Sequence, residues 1–89
     1  MTPSAVPDLE WIPVESSRFR QYAFQPLDNG LGLLYVQFAD GTIGHYSGVP
    51  EDIIRQMASA PSKGSFLHQA VIKQGYPWTK LSGRTDSLT

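Results

Sequence analysis

The stretch Leu31-Gly32-Leu33-Leu34-Tyr35-Val36-Gln37-Phe38-Ala39-Asp40-Gly41-Thr42-Ile43-Gly44-His45-Tyr46-Ser47-Gly48-Val49 decides the fold. Leu34, Val36 and Phe38 recur at period two, the spacing that puts alternate side chains on one side of a strand. Asp40-Gly41 then interrupts the run, and glycine takes a positive φ at little cost, so the pair signals a hairpin. Thr42 to Val49 resumes an extended pattern. Toward the N-terminus, Arg18 to Gln25 is a short aromatic run, closed by the turn residues Pro26-Leu27-Asp28-Asn29-Gly30. The expected order is a three-stranded antiparallel meander.

Toward the C-terminus the period changes. Pro50 suits a first helical position, and Glu51 and Asp52 suit the positive end of a helix dipole. Ile53, Ile54, Met57 and Ala58 follow at helical spacing until Pro61. Ser62 suits an N-cap for a second helix whose apolar stripe is Phe66, Leu67, Ala70 and Val71, with Gly75 as its stop. The two stripes read as core. The fold class expected is α+β: a three-stranded meander followed by two α-helices in one small domain over residues 11–81. Residues 1–10, with Pro3 and Pro7, read as a flexible arm, and residues 82–89 as a flexible tail.

The chain has 89 residues, which suits one small domain and excludes two well-packed ones. Its hydrophobic fraction of 40% is globular rather than disordered. No run approaches the roughly 20 apolar residues that span a bilayer, and residues 1–10 lack the basic and apolar regions of a secretory signal. There is no cysteine, which excludes disulfides, thiolate nucleophiles and thiolate metal sites. The expected location is the cytoplasm, without membrane association.

The formal net charge is −1, which gives no global attraction to nucleic acid. It is unevenly placed. Residues 1–52 carry two basic and seven acidic side chains, and residues 53–89 carry five and one. A positive C-terminal region attracts anions even when the whole chain is nearly neutral. The plainer reading is a solvated helix face.

Several pieces in order resemble the KTSC domain, a small family found alone in bacteria and phages and appended to some lysyl-tRNA synthetases. They begin with Val14-Glu15-Ser16-Ser17 and the alternation of Leu34, Val36 and Phe38. Asp40-Gly41, Tyr46-Ser47-Gly48-Val49-Pro50 and Ala60-Pro61-Ser62-Lys63-Gly64-Ser65-Phe66 follow. Tyr76-Pro77 and Lys80-Leu81 close the match, which covers roughly residues 11–81. The chain has Ala23-Phe24-Gln25 where the family usually shows Gly-Tyr-Asp, and Gly44 where it often has an aromatic. The segment from Ile72 to Gly75 is about one residue longer than usual. The resemblance implies a small α+β domain and no catalytic residues to carry over. The synthetase attachment suggests an RNA-linked role only by association. Phage-encoded members make a sponge that sequesters a nucleotide signal of bacterial immunity an expectation by analogy, in the bacterial or host cytoplasm.

The best anion site in the sequence is Ser62-Lys63-Gly64-Ser65. Free backbone N–H groups and the dipole at a helix start favour an anion, Gly64 allows close approach, and Lys63 adds charge. The plainer reading is that Ser62 caps the helix and Gly64 relieves crowding. Arg18 and Arg20 alternate with Phe19, so both are expected on one face, continued by Tyr22 and Phe24. Arginine beside aromatics suits a phosphate clamp with base stacking. A charged edge strand explains the same pattern.

Gly44 shares a face with Thr42, Tyr46 and Gly48, either a bare patch that admits a ligand ring or a place where another element packs close. Trp78 either closes the core or offers a stacking surface. With no cysteine, a zinc site would need both His45 and His68 plus carboxylates, and no catalytic motif is present. No metal and no cofactor are expected.

The function expected is non-enzymatic binding of a phosphate-bearing ligand, a small or cyclic nucleotide or RNA, with a homo-oligomer that shares the site between copies as a further expectation. The ligand residues expected are Arg18, Arg20, Tyr22, Tyr46, Ser62, Lys63, Gly64, Ser65, His68 and Lys73, with Trp78 as a further stacking surface. The rival readings are a protein-interaction module using the sheet edge or the Gly44 face, and a small hydrolase using His45 or His68.

Overall fold

The structure is a computed structural model that describes residues 10–82. The arm expected over residues 1–10 and the tail over 82–89 lie outside the described residues, apart from Glu10 and Ser82. Five antiparallel strands form one sheet in chain order. They are β1 (Ile12–Pro13), β2 (Phe19–Pro26), β3 (Leu31–Phe38), β4 (Ile43–Pro50) and β5 (Trp78–Ser82). Two helices, α1 (Glu51–Ser59) and α2 (Lys63–Leu67), lie between β4 and β5. The α+β class and the two helices are as expected. The sheet has five strands instead of three. β1 is too short to show a period, and β5 pairs only with β4, far back in the chain.

The central hairpin is built as its residues require. The Gly41 N–H donates to the Phe38 carbonyl at 2.9 Å, and the Phe38 N–H donates to the Thr42 carbonyl at 2.8 Å. These bonds bracket a three-residue loop over residues 39–41, with Gly41 at φ 96°, the usual glycine position in such loops. The Asp40 carboxylate accepts from the Thr42 N–H at 2.9 Å.

Pro50 caps α1 in an extended conformation, so the helix begins one residue later than the sequence suggests. Arg55 pairs with Glu51 at 3.6 Å and with Asp52 on the exposed side of α1. Ser62 caps α2 as expected, its Oγ accepting from the Ser65 N–H at 3.4 Å. After Leu67 the helix widens into a π turn over His68–Ile72, where the Lys73 N–H donates to the His68 carbonyl at 2.9 Å. A π turn takes up one residue more than an α turn.

One sheet face is the core. Phe19 and Tyr22 of β2, Leu34 and Val36 of β3, and Tyr46 and Val49 of β4 are buried against Met57 of α1, Leu67 of α2 and Val71 of the π turn. Each such side chain contributes roughly 1.5–3 kcal/mol by leaving water. The opposite face carries Gln21, Ala23 and Gln25 of β2, and Leu33, Tyr35 and Gln37 of β3, in mutual register. Ile43, His45 and Ser47 of β4 and Thr79 of β5 complete it. Trp11 meets Tyr35 there edge-on, with ring centroids 6.4 Å apart.

Candidate functional site

The first turn of α2 lies under residues 14–18. An ideal Cβ on Gly64 would stand 2.6 Å from the Ser16 Oγ and 3.0 Å from the Arg18 Cδ. Gly64 is therefore a glycine because the chain before β2 crosses it in contact. The close approach that the sequence reading assigned to a ligand is made by the protein's own Ser16 and Arg18.

This crossing strap is fastened at both ends. The Val14 N–H donates to the Arg20 carbonyl at 2.8 Å, and the Ala39 N–H donates to the Arg18 carbonyl at 3.1 Å. Within it, the Ser16 Oγ accepts from the Arg18 N–H at 3.0 Å. Arg18 and the Ser62–Ser65 turn, 44 positions or more apart in the chain, thus come together. The Arg18 guanidinium has no hydrogen bond or ion pair among the described residues, and its residue is exposed. Lys63 donates from Nζ to the Ala60 carbonyl at 3.3 Å, closing the loop between the helices. It also lines a groove of about 330 Å³ with Pro13, Val14, Glu15 and Pro61. Glu15 puts one negative charge into that groove, opposing Lys63.

Other expected ligand residues lie elsewhere. A bulge between Phe19 and Gln21 places Arg20 outside the alternation. Phe19 and Tyr22 therefore both turn inward, and Tyr22 is only 1% exposed. It cannot stack on a ligand. Tyr46 is 7% exposed and lies against Trp78, with ring centroids 4.7 Å apart, so it too belongs to the core. Burial raises the phenol pKa of Tyr22 and Tyr46 above the ordinary value of 10.0, and that of Tyr35 on the opposite face likewise.

Arg20 donates from Nη2 to the Ala39 carbonyl at 3.0 Å and so braces the β3–β4 loop. His68 is half-buried, one turn beyond Gly64. Lys73 follows the π turn, roughly 15 Å along the helical path from Lys63 at 1.5 Å per residue. It is not part of this cluster.

The bare patch at Gly44 is filled. A Cβ there would overlap the Trp78 ring and the Thr79 carbonyl of β5. Trp78 also meets Phe38, with ring centroids 5.5 Å apart. The indole closes this end of the core while remaining 37% exposed at its rim. A small residue in β4 showed that something packs close. It did not show that β5 supplies it.

The histidines do not meet. His45 stands on the outer face with its ring 5.1 Å from that of Tyr35, whereas α2 and the π turn pack on the inner face. The His45 Nδ1 is buried without a hydrogen-bond partner among the described residues, an omission that costs about 1–3 kcal/mol when nothing supplies one. Ser16 and Glu15 are the functional candidates that the sequence reading left unassigned. The signal for Ser16 was a serine pair just ahead of a strand together with a glycine in a helix's first turn.

The family model of the KTSC domain matches residues 15–76. The crystal structure of a KTSC domain protein from Yersinia pestis superposes with a TM-score of 0.70 at 35% identity, covering 84% of this chain and 100% of that one. No functionally curated protein matches.

Proposed function

The chain belongs to the KTSC domain family, and from that premise we propose that it is a non-enzymatic binding protein for a phosphate-bearing ligand, a small or cyclic nucleotide. The ligand's phosphate lies beside Arg18 where the strap crosses the first turn of α2. The single observation that carries this reading is the contact of Ser16 and Arg18 with Gly64. It anchors the stem of an arginine that is unpaired among the described residues next to Ser62 and Lys63 at the start of α2, where the Ser65 N–H is already taken by the Ser62 cap. The ligand-binding set thereby narrows to Ser16, Arg18, Ser62, Lys63, Gly64 and Ser65. A site with two cations and one opposing carboxylate suits one phosphate group better than an extended duplex, which needs several charges neutralised together. Holding the ligand without turning it over is what sequestration of a signal requires.

The test is native mass spectrometry of the freshly purified protein, with identification of whatever denaturation releases. Titration calorimetry with mononucleotides and cyclic dinucleotides follows, with inorganic phosphate as control. The expected result is a nucleotide-sized adduct, and an affinity that falls about 10- to 100-fold in Arg18→Glu, the loss of one charge-assisted contact. Lys73→Glu leaves it nearly unchanged. Affinity insensitive to Arg18→Glu, or no binding by any probe, removes the reading. A second reading, partner docking along the edge of β5 that no described strand covers, is favoured by the partly exposed Trp78 on that strand. It predicts partner binding that is indifferent to Arg18→Glu.

A further inference from the structure

The strap that crosses α2 and the loop between the helices border one groove of about 330 Å³. Pro13, Val14 and Glu15 line it from the strap, and Pro61 and Lys63 from the loop. Both borders are fixed by hydrogen bonds. On the strap, the Val14 N–H is tied to the Arg20 carbonyl at 2.8 Å and the Ser16 Oγ to the Arg18 N–H at 3.0 Å. Glu15 therefore sits between two held residues. On the loop, Lys63 is tied through Nζ to the Ala60 carbonyl at 3.3 Å. The groove carries opposite charges that do not neutralise each other. Glu15 and Lys63 form no ion pair, and Glu15 has no hydrogen bond or ion pair among the described residues. Glu15 is also exposed, so its carboxylate is open to a ligand.

We infer that Glu15 reads the sugar of the ligand. Its carboxylate accepts a hydrogen bond from the ribose 2′-hydroxyl, so the groove takes ribonucleotides in preference to 2′-deoxyribonucleotides. The inference rests on the phosphate site proposed beside Arg18. A carboxylate in such a site repels the phosphate. Glu15 therefore lowers the affinity for a bare phosphate, and favours a ligand only where the rest of that ligand offers it a donor. Arg18 and Lys63 against Glu15 leave one positive charge, which a single phosphodiester matches. The donor that meets Glu15 is thus a neutral group, and the sugar is the part of a nucleotide that adjoins the phosphate. Glu15 stands three positions from Arg18 on the same strap, so one nucleotide reaches both. An acidic side chain on the ribose 2′-hydroxyl is the device by which dinucleotide-binding folds hold their cofactor. The groove is at the lower end of the size range of ligand pockets, about 300–1,000 Å³, which suits one sugar phosphate.

The experiment is titration calorimetry of the full chain with cyclic AMP, cyclic GMP and the corresponding cyclic dinucleotides. Each is measured beside its 2′-deoxy counterpart, with dimethyl phosphate as a diester that has no sugar. The series is repeated for Glu15→Ala and Arg18→Glu, with thermal melts to establish that both variants fold. Glu15 is exposed and makes no side-chain bond among the described residues, so its truncation leaves the fold intact. The expected result is that the ribose form binds about tenfold more tightly than the deoxyribose form, the worth of one hydrogen bond to a charged group. In Glu15→Ala that preference disappears through loss of affinity for the ribose form, while the deoxyribose forms and dimethyl phosphate bind as well as before or better. Arg18→Glu weakens both forms. Binding that needs Arg18 but does not distinguish the two sugars overturns this inference and leaves the phosphate site standing. So does a ribose preference that survives Glu15→Ala. No binding by any of these probes, or binding indifferent to Arg18→Glu, removes the phosphate site and this inference with it.

Discussion

Gly44 and Gly64 are both buried glycines covered by another part of the chain, and the two covers have opposite consequences. Over Gly44 lie a rigid indole and a strand carbonyl, which fill the space and end there. Over Gly64 lie a short hydroxyl and the stem of an arginine, whose charged end continues past the contact into solvent. The same absence of a Cβ closes a core in one place and positions a cation in the other. A glycine in a regular element therefore marks close approach, and the chemistry of the approaching group decides whether the place is structural or functional.

The comparison can be broken by mutation, beginning at its rigid side. Gly44→Ala forces a methyl group into the Trp78 ring and the β5 backbone, neither of which yields easily. We expect a loss of about 3 kcal/mol or more, the upper part of the overpacking range, measured by urea unfolding. A loss below about 1 kcal/mol would mean that β5 is loosely held. Trp78→Ala removes the cover itself. Because its rim is exposed, the expected cost is about 2 kcal/mol, less than for a fully buried tryptophan, read as a fall of roughly 8–16 °C in melting temperature for a domain of this size.

On the flexible side the stability effects are smaller and the binding effects larger. Gly64→Ala displaces the Ser16 hydroxyl and the Arg18 stem at a cost of about 1–2 kcal/mol, offset by about 1 kcal/mol of helix propensity. The net change in a melt is thus within about 1 kcal/mol, while nucleotide affinity in calorimetry falls by about tenfold if the Arg18 position matters. Ser62→Ala removes a long, exposed cap bond and costs about 0.5 kcal/mol.

The pH profile separates core from surface without mutation. Tyr22, Tyr35 and Tyr46 have phenol pKa values raised by burial. The unfolded chain therefore ionises first, and the stability they confer is complete below pH 10 and lost as pH rises through the folded values. Unfolding free energy followed from pH 8 to 11 is expected to fall only at the alkaline end, with no pH dependence from these groups near neutrality.

The parts of this fold legible in the sequence are those whose cause is local. Period two in Leu34, Val36 and Phe38, the Asp40-Gly41 turn and the Ser62 cap each depend on a few neighbouring residues, and each stands where it was expected. What was hidden depends on distant pairing. β1 and β5 are strands only because β2 and β4 accept them. The bulge at Arg20 is the instructive case, since one extra residue in a strand turns every later side chain to the other face. Strict alternation put Tyr22 beside Arg18 and Arg20, whereas the bulge puts it in the core. For the candidate site, Arg18 and Gly64 were each visible, but their contact was not, because no local pattern encodes which loop crosses which helix.

The π turn at His68–Ile72 bears on how such a chain tolerates insertion and deletion. A widened turn holds one surplus residue while the backbone on either side keeps its course, with Leu67 and Val71 still buried. A gene encoding this domain has in that turn a position where a single codon can be gained or lost without changing where β5 begins. Homologues one residue shorter there would carry an ordinary α turn between the same two ends.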